Sequence, residues 1–111
     1  MISHLVLFKP RPDMTAADRD HLLQALSTAA VDIPTIRSFR VGRRIRHGRP
    51  GYEQMMTEDF EYALMLEFDD LEGLTAYLTH PNHGALARAF GPSAAAAALA
   101  YDYEIVELKG L

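Results

Sequence analysis

The sequence predicts an α+β fold with four strands and two main helices in the order β-α-β-β-α-β. Three observations carry that expectation. Apolar residues alternate with period two in four separate segments, the intervening segments hold apolar residues at helical spacing behind capping residues, and prolines or glycines mark most of the joints.

Ile2 to Lys9 is the first strand, and its alternation puts His4, Val6 and Phe8 on one face with Leu5, Leu7 and Lys9 on the other. Pro10 and Pro12 end it. Thr15 followed by Asp18 reads as a capping box, which opens a helix over about 16–30 with Leu22, Leu23, Leu26, Ala29 and Ala30 on its buried stripe. Pro34 closes that helix, and the second strand spans Ile36 to Ile45 with Phe39, Val41 and Ile45 in phase. A loop with Gly48, Pro50 and Gly51 leads to a third strand. There Phe60, Tyr62, Leu64, Leu66 and Phe68 recur at every second position while Ala63 and Met65 occupy the other face. A strand apolar on both sides is expected at the centre of the sheet, covered twice.

Asp69 or Asp70 caps a second helix carrying Leu71, Leu74 and Leu78, with Tyr77 beside them. Pro81 stops it, because the residue before a proline is pushed out of the helical region. Asn82 is expected to cap a short helix through Phe90, and Ser93 another through alanines 94 to 98, on alanine's helix propensity. Tyr101, Tyr103 and Ile105 alternate with Asp102, Glu104 and Val106 as the last strand. This order is the ferredoxin-like split βαβ arrangement, with helices on one face of an antiparallel sheet. The other face, with Leu5, Leu7, Ala63 and Met65, needs a cover that a two-fold homodimer through the sheet face supplies with one self-complementary patch.

The 111 residues suit one domain spanning 1–111, and about half of them are hydrophobic. No cysteine is present, so disulfides and thiolate chemistry are excluded. No basic segment precedes a long apolar run, and no stretch approaches the roughly 20 apolar residues that span a bilayer. A cytoplasmic protein with no membrane partner is the expectation. A formal charge of −4 argues against nucleic-acid binding. Charge is nevertheless uneven. Arg37, Arg40, Arg43, Arg44, Arg46 and Arg49 fall between Ile33 and Tyr52 with no acid among them, whereas Glu53 to Glu72 is acidic with no base. Such a run is either a solvated strand end or an arginine rim that attracts an anion.

The densest chemical signal is Tyr77-Leu78-Thr79-His80-Pro81-Asn82-His83, three protonatable side chains around a proline break. With the opening His4-Leu5-Val6-Leu7-Phe8-Lys9, the apolar strand ending in Phe68, Ala76 before Tyr77, and the closing Tyr101-Asp102-Tyr103, the chain resembles the stress-responsive dimeric α+β barrel (Dabb) family along nearly its whole length. That resemblance implies a dimeric α/β barrel. It also implies, by analogy with the family's plant olivetolic acid cyclase, a cofactor-free aldol-type activity on a polyketide-like molecule in which Tyr77 and His83 are catalytic and His4 assists. Tyr62 stands where the cyclase has a further pocket histidine, so the same substrate is not implied.

The residue types suit this chemistry. Histidine, with an unperturbed pKa of about 6.5, can remove a proton next to a carbonyl near neutral pH. In the first turn of a helix the dipole disfavours imidazolium, which keeps His83 neutral, and the Tyr77 hydroxyl can donate to a developing oxyanion. Phe8, Leu23, Leu26, Tyr62, Leu64, Leu78 and His80 are the expected substrate-binding residues, in a pocket between the two helices and the sheet. No cofactor and no metal are expected, since no carboxylate near His80 and His83 completes a ligand set. Structural readings stand beside these: Tyr77 packing its ring against leucines, His83 bonding backbone at the proline break, His4 satisfying itself within the sheet, His80 in a turn, and His21 and His47 on the surface. A non-catalytic stress-associated ligand-binding dimer and a cofactor-independent monooxygenase are the alternative functions.

Overall fold

The computed structural model describes residues 1–109. Its elements are β1 (Ile2–Phe8), α1 (Ala16–Val31), β2 (Ser38–Arg43), β3 (Tyr62–Phe68), α2 (Leu71–Thr79), α3 (Pro81–Phe90) and β4 (Leu99–Glu104). The sheet is antiparallel throughout, with strand order β2-β3-β1-β4, so β3 and β1 are central as the two-sided apolar pattern requires.

Register assigns the faces. Phe8 lies opposite Tyr62, Val6 opposite Leu64 and His4 opposite Leu66, while Leu5 opposes Met65 and Leu7 opposes Ala63. The first set meets the helices: Leu64, Leu66 and Phe68 are buried together with Leu26, Leu74, Tyr77 and Leu86, and Phe8 and Tyr62 with Met14 and Leu22. β4 extends both faces, with Ala100 and Asp102 beside Val6 and His4, and with Leu99, Tyr101 and Tyr103 beside Leu7, Leu5 and Ser3. Those three outer β4 side chains are 38%, 48% and 52% exposed, so the outer face stays open along its length in the single chain.

Thr15 and Asp18 form the expected capping box, and Asp70 caps α2 by accepting the Gly73 N–H at 2.8 Å. Four local expectations are corrected. The buried stripe of α2 is Gly73, Leu74 and Tyr77, whereas Leu71 and Leu78 are exposed, because the helix leans on the sheet through the tyrosine side. His80 rather than Asn82 caps α3: it holds an extended backbone, its Nδ1 accepts the Asn82 N–H at 3.0 Å, and Pro81 takes the first helical position, where a missing N–H costs nothing. Ile45 lies beyond the end of β2 and is 79% exposed.

Alanines 94 to 98 form no helix. A short 3₁₀ turn, Gly91–Ser93, precedes them, and Ala94 then bridges to Pro10 while the Ala95 N–H donates to the Lys9 carbonyl at 2.9 Å. Pairing with the chain leaving β1 satisfies that backbone and outweighs alanine's helix propensity.

Candidate functional site

The inward alternation of β1 buries His4 to 4% exposure beside β4. Its Nδ1 lies 2.5 Å from Asp102 Oδ1. A carboxylate only accepts, so His4 Nδ1 is the donor of this hydrogen bond. Asp102 was absent from the residues expected to form the site. Alternation in β4 separates it from Tyr101 and Tyr103, but only the β1–β4 register, across 98 positions of sequence, brings it to His4.

α2 carries Tyr77 in over the same spot. Its ring is edge-on to His4 with centroids 5.5 Å apart, edge-on to His83 at 4.9 Å, and tilted against Phe68 at 5.3 Å. The tyrosine thus lies between two imidazoles. His83 reaches it because the break at Pro81 redirects the chain, which puts His83 in the first turn of α3. Asn82 Nδ2 then fastens that turn to α1 by donating to the Ala29 carbonyl at 3.0 Å.

Electrostatics separates the roles of these groups. Burial, with a smaller contribution from the Asp102 charge, pushes the Tyr77 hydroxyl up to about 12, so it stays protonated and can donate. Burial first, and then the neighbouring His4, pulls His83 below the usual imidazole range, so it is neutral and can accept a proton.

These groups border a cavity of about 610 Å³ whose other walls include Val6, Phe8, Leu26, Leu64 and Leu86. Of the expected lining, Phe8, Leu26, Leu64 and Leu78 contribute, as do His4, Tyr77 and His83. The remaining three do not. Leu23 faces a separate space toward β2, Tyr62 is buried behind the cavity with its ring stacked on Phe8 at 6.5 Å, and His80 is occupied in capping α3. The wall also differs from expectation, since α3 and the alanine stretch complete it along with the two helices and the sheet. Among the described residues no cluster of three or more histidine, aspartate or glutamate side chains is arranged to hold a metal, and no helix is long and apolar enough to cross a membrane.

An almost wholly apolar cavity with one hydroxyl donor between two imidazoles, one of them bonded to a carboxylate, can accept and return a proton on a bound carbonyl compound. Solved structures share the fold. The chain is similar to a hydroxynitrile lyase from Passiflora edulis (TM-score 0.81, 14% identity, covering 96% of this chain and 94% of that one). It is also similar to a Dabb family protein with a ferredoxin-like fold from Mesorhizobium loti (TM-score 0.76, 22% identity, 96% and 97%). A third is a dimeric ferredoxin-like protein of unknown function from Bacteroides fragilis (TM-score 0.67, 28% identity, 94% and 95%). No curated protein sequence matches the chain. The sequence model of the stress responsive A/B barrel domain matches residues 2–105, and the chain belongs to that family, Dabb.

Proposed function

We propose that the protein is a homodimeric, cofactor-independent acid–base catalyst acting on a small hydrophobic carbonyl compound of polyketide type. The observation that carries this reading is the sequence of contacts from Asp102 through His4 and Tyr77 to His83 at the wall of an apolar cavity.

In an aldol closure, neutral His83 removes a proton from the carbon next to a carbonyl. Tyr77 donates a hydrogen bond to the enolate oxygen that develops. The enolate carbon then attacks a second carbonyl of the same molecule, a C–C bond forms, and the resulting alkoxide takes the proton back from His83, so the step is balanced without a co-reactant. His4, held in place by its bond to Asp102, orients Tyr77 and the bound carbonyl. The lowered basicity of His83 and the raised pKa of Tyr77 support this division of labour.

The dimer belongs to the same proposal. Leu5, Leu7, Ala63, Met65, Tyr101 and Tyr103 make one continuous apolar patch on the outer sheet face, the kind of surface that a second copy buries. The Bacteroides fragilis neighbour described as dimeric supports it.

The test is turnover of linear poly-β-ketones by wild type, His83→Ala and Tyr77→Phe. Loss of a positioned base should lower kcat by about 10²- to 10⁴-fold, and loss of one oxyanion donor by about 10²-fold. The double variant should lose less than the product of the singles, because the two act on one transition state. Wild-type rates in both singles would reduce Tyr77 and His83 to packing groups and leave a ligand-binding dimer as the reading, which the apolar walls of the cavity also support.

A further inference from the structure

The arginine run of β2 and the loop after it takes no part in the chemistry above, and its carboxylate partners show where positive charge is left over. Arg37 pairs with Asp69 at 2.7 Å and Arg40 with Glu67 at 2.8 Å, one cation to one acid in each case. Arg44 and Arg46 instead share a single carboxylate, that of Asp59. Arg43 has no carboxylate partner among the described residues. Its guanidinium lies over the Tyr62 ring, 5.9 Å from the centroid, and stacking of that kind leaves the edge N–H groups available to an acceptor.

These last three arginines border one cleft of about 310 Å³ together with Lys9, Asp59 and Glu61. It lies where three strand ends meet. Phe8 and Arg43, the last residues of β1 and β2, both stand opposite Tyr62, the first of β3. The adjoining chain adds Lys9, Arg44 and Glu61, with the Arg44 N–H donating to the Glu61 carbonyl at 2.8 Å. Lys9 pairs with Glu58, and Arg19 with Glu61 at 3.2 Å. Lys9, Arg19, Arg43, Arg44 and Arg46 therefore meet only Glu58, Asp59 and Glu61, an excess of two positive charges in a chain whose formal charge is −4.

We infer that this cleft binds a phosphate monoester, at a site separate from the carbonyl cavity. A dianion matches the excess of two charges, whereas a single carboxylate would leave one of them unmatched. Guanidinium groups offer paired N–H donors that suit the oxygens of a phosphate. The donors are already in place: the side chains of Lys9 and Arg44 are only 25% and 20% exposed, and Arg44 Nη1 is fixed by the Glu58 carbonyl at 3.1 Å, so little ordering remains to oppose binding. Pro10 and Ala95 form the apolar part of the wall, which suits the carbon group that the phosphate esterifies.

The experiment is calorimetric titration with propyl phosphate, inorganic phosphate and acetate at fixed ionic strength and about pH 8, where a phosphate monoester is doubly charged. Wild type should bind propyl phosphate at least about fourfold more tightly than inorganic phosphate, the gain from burying one methylene. Acetate should bind at least about tenfold more weakly than either, for want of a charge-assisted contact. Arg43→Gln and Arg46→Gln should each weaken phosphate binding by about tenfold or more. Both side chains are exposed and lie on different segments, a strand end and a loop, so the fold does not depend on them. Arg37→Gln, at the other end of β2 and paired with Asp69, should bind as wild type. Phosphate bound equally by wild type and both cleft variants, or not bound at all, would overturn the site. Equal weakening in Arg37→Gln would reduce it to a diffuse field of positive charge and overturn it likewise. Acetate binding as tightly as phosphate would overturn the dianion, and inorganic phosphate binding as tightly as propyl phosphate would overturn the ester. None of the three substituted arginines borders the carbonyl cavity, so each of these results leaves the catalytic reading standing.

Discussion

Leu66 and Met65 are neighbours on β3, similar in size and apolarity, and they serve opposite faces of one sheet. Leu66 is 1% exposed and enclosed by the helix layer, while Met65 sits opposite Leu5 on the face that no element among the described residues covers. The inner face carries the fold and the candidate chemistry within one chain, and the outer face has a role only if a second chain meets it. Period-two apolar sequence is therefore ambiguous about its partner: it reports that both faces are dry and is silent on whether the cover is intramolecular.

Truncating each residue in turn sharpens the contrast. Leu66→Ala should cost about 2–5 kcal/mol, the usual cost of emptying a closed core site, measured by urea unfolding at fixed protein concentration. Met65→Ala should cost under about 1 kcal/mol in the monomer. Equal losses in the two variants at dilutions where the protein is monomeric would show that the outer face is packed within the chain, contrary to the assignment.

The next expected effect is on assembly. Met65→Lys buries an unpaired ammonium in the proposed dimer and leaves it in water in the monomer, so the dimer should dissociate at least about 100-fold more readily with little loss of monomer stability. Sedimentation of wild type and variant at micromolar concentration reads this directly. A variant that still sediments at twice the chain mass would move the dimer interface elsewhere.

The same contrast explains which parts were legible in sequence. The order of the elements, the central place of β3, the Thr15–Asp18 capping box and the start of α2 followed from local pattern, because caps and periodicity act over a few residues. The meeting of His4, Tyr77 and His83 was legible through the Tyr77–His83 run, in which a proline break turns two adjacent helices toward one strand. Asp102 was not, since its role depends on the register of strands from opposite ends of the chain. Nor was the shape of the alanine stretch, where Lys9 and Pro10 set the backbone from far away in sequence. The α3 cap was misassigned because asparagine is the commoner capping residue. Here a histidine just ahead of a proline had the free Nδ1 and the extended backbone the position requires.

The smallest expected effect is a pH dependence, and it belongs to the inner face alone. His83 has its pKa lowered in the folded protein, first by burial and then by His4 on β1, whereas in the unfolded chain it returns to about 6.5. Between the folded and unfolded values the unfolded chain holds more protons, so stability must fall as pH drops through about 6.5 and the loss is complete below the folded pKa. Above about pH 7.5 the group is neutral in both states and contributes nothing. His83→Gln cannot titrate, so relative to wild type it should gain stability as pH falls from about 7.5, while Met65→Ala on the outer face should track wild type throughout. Chemical denaturation at stepped pH measures both. The half-buried position of His83 keeps the effect small, since water screens part of the charge. Parallel curves for wild type and His83→Gln would mean that the imidazole is no harder to protonate in the fold than outside it, and that would remove the electrostatic reason for treating it as the base.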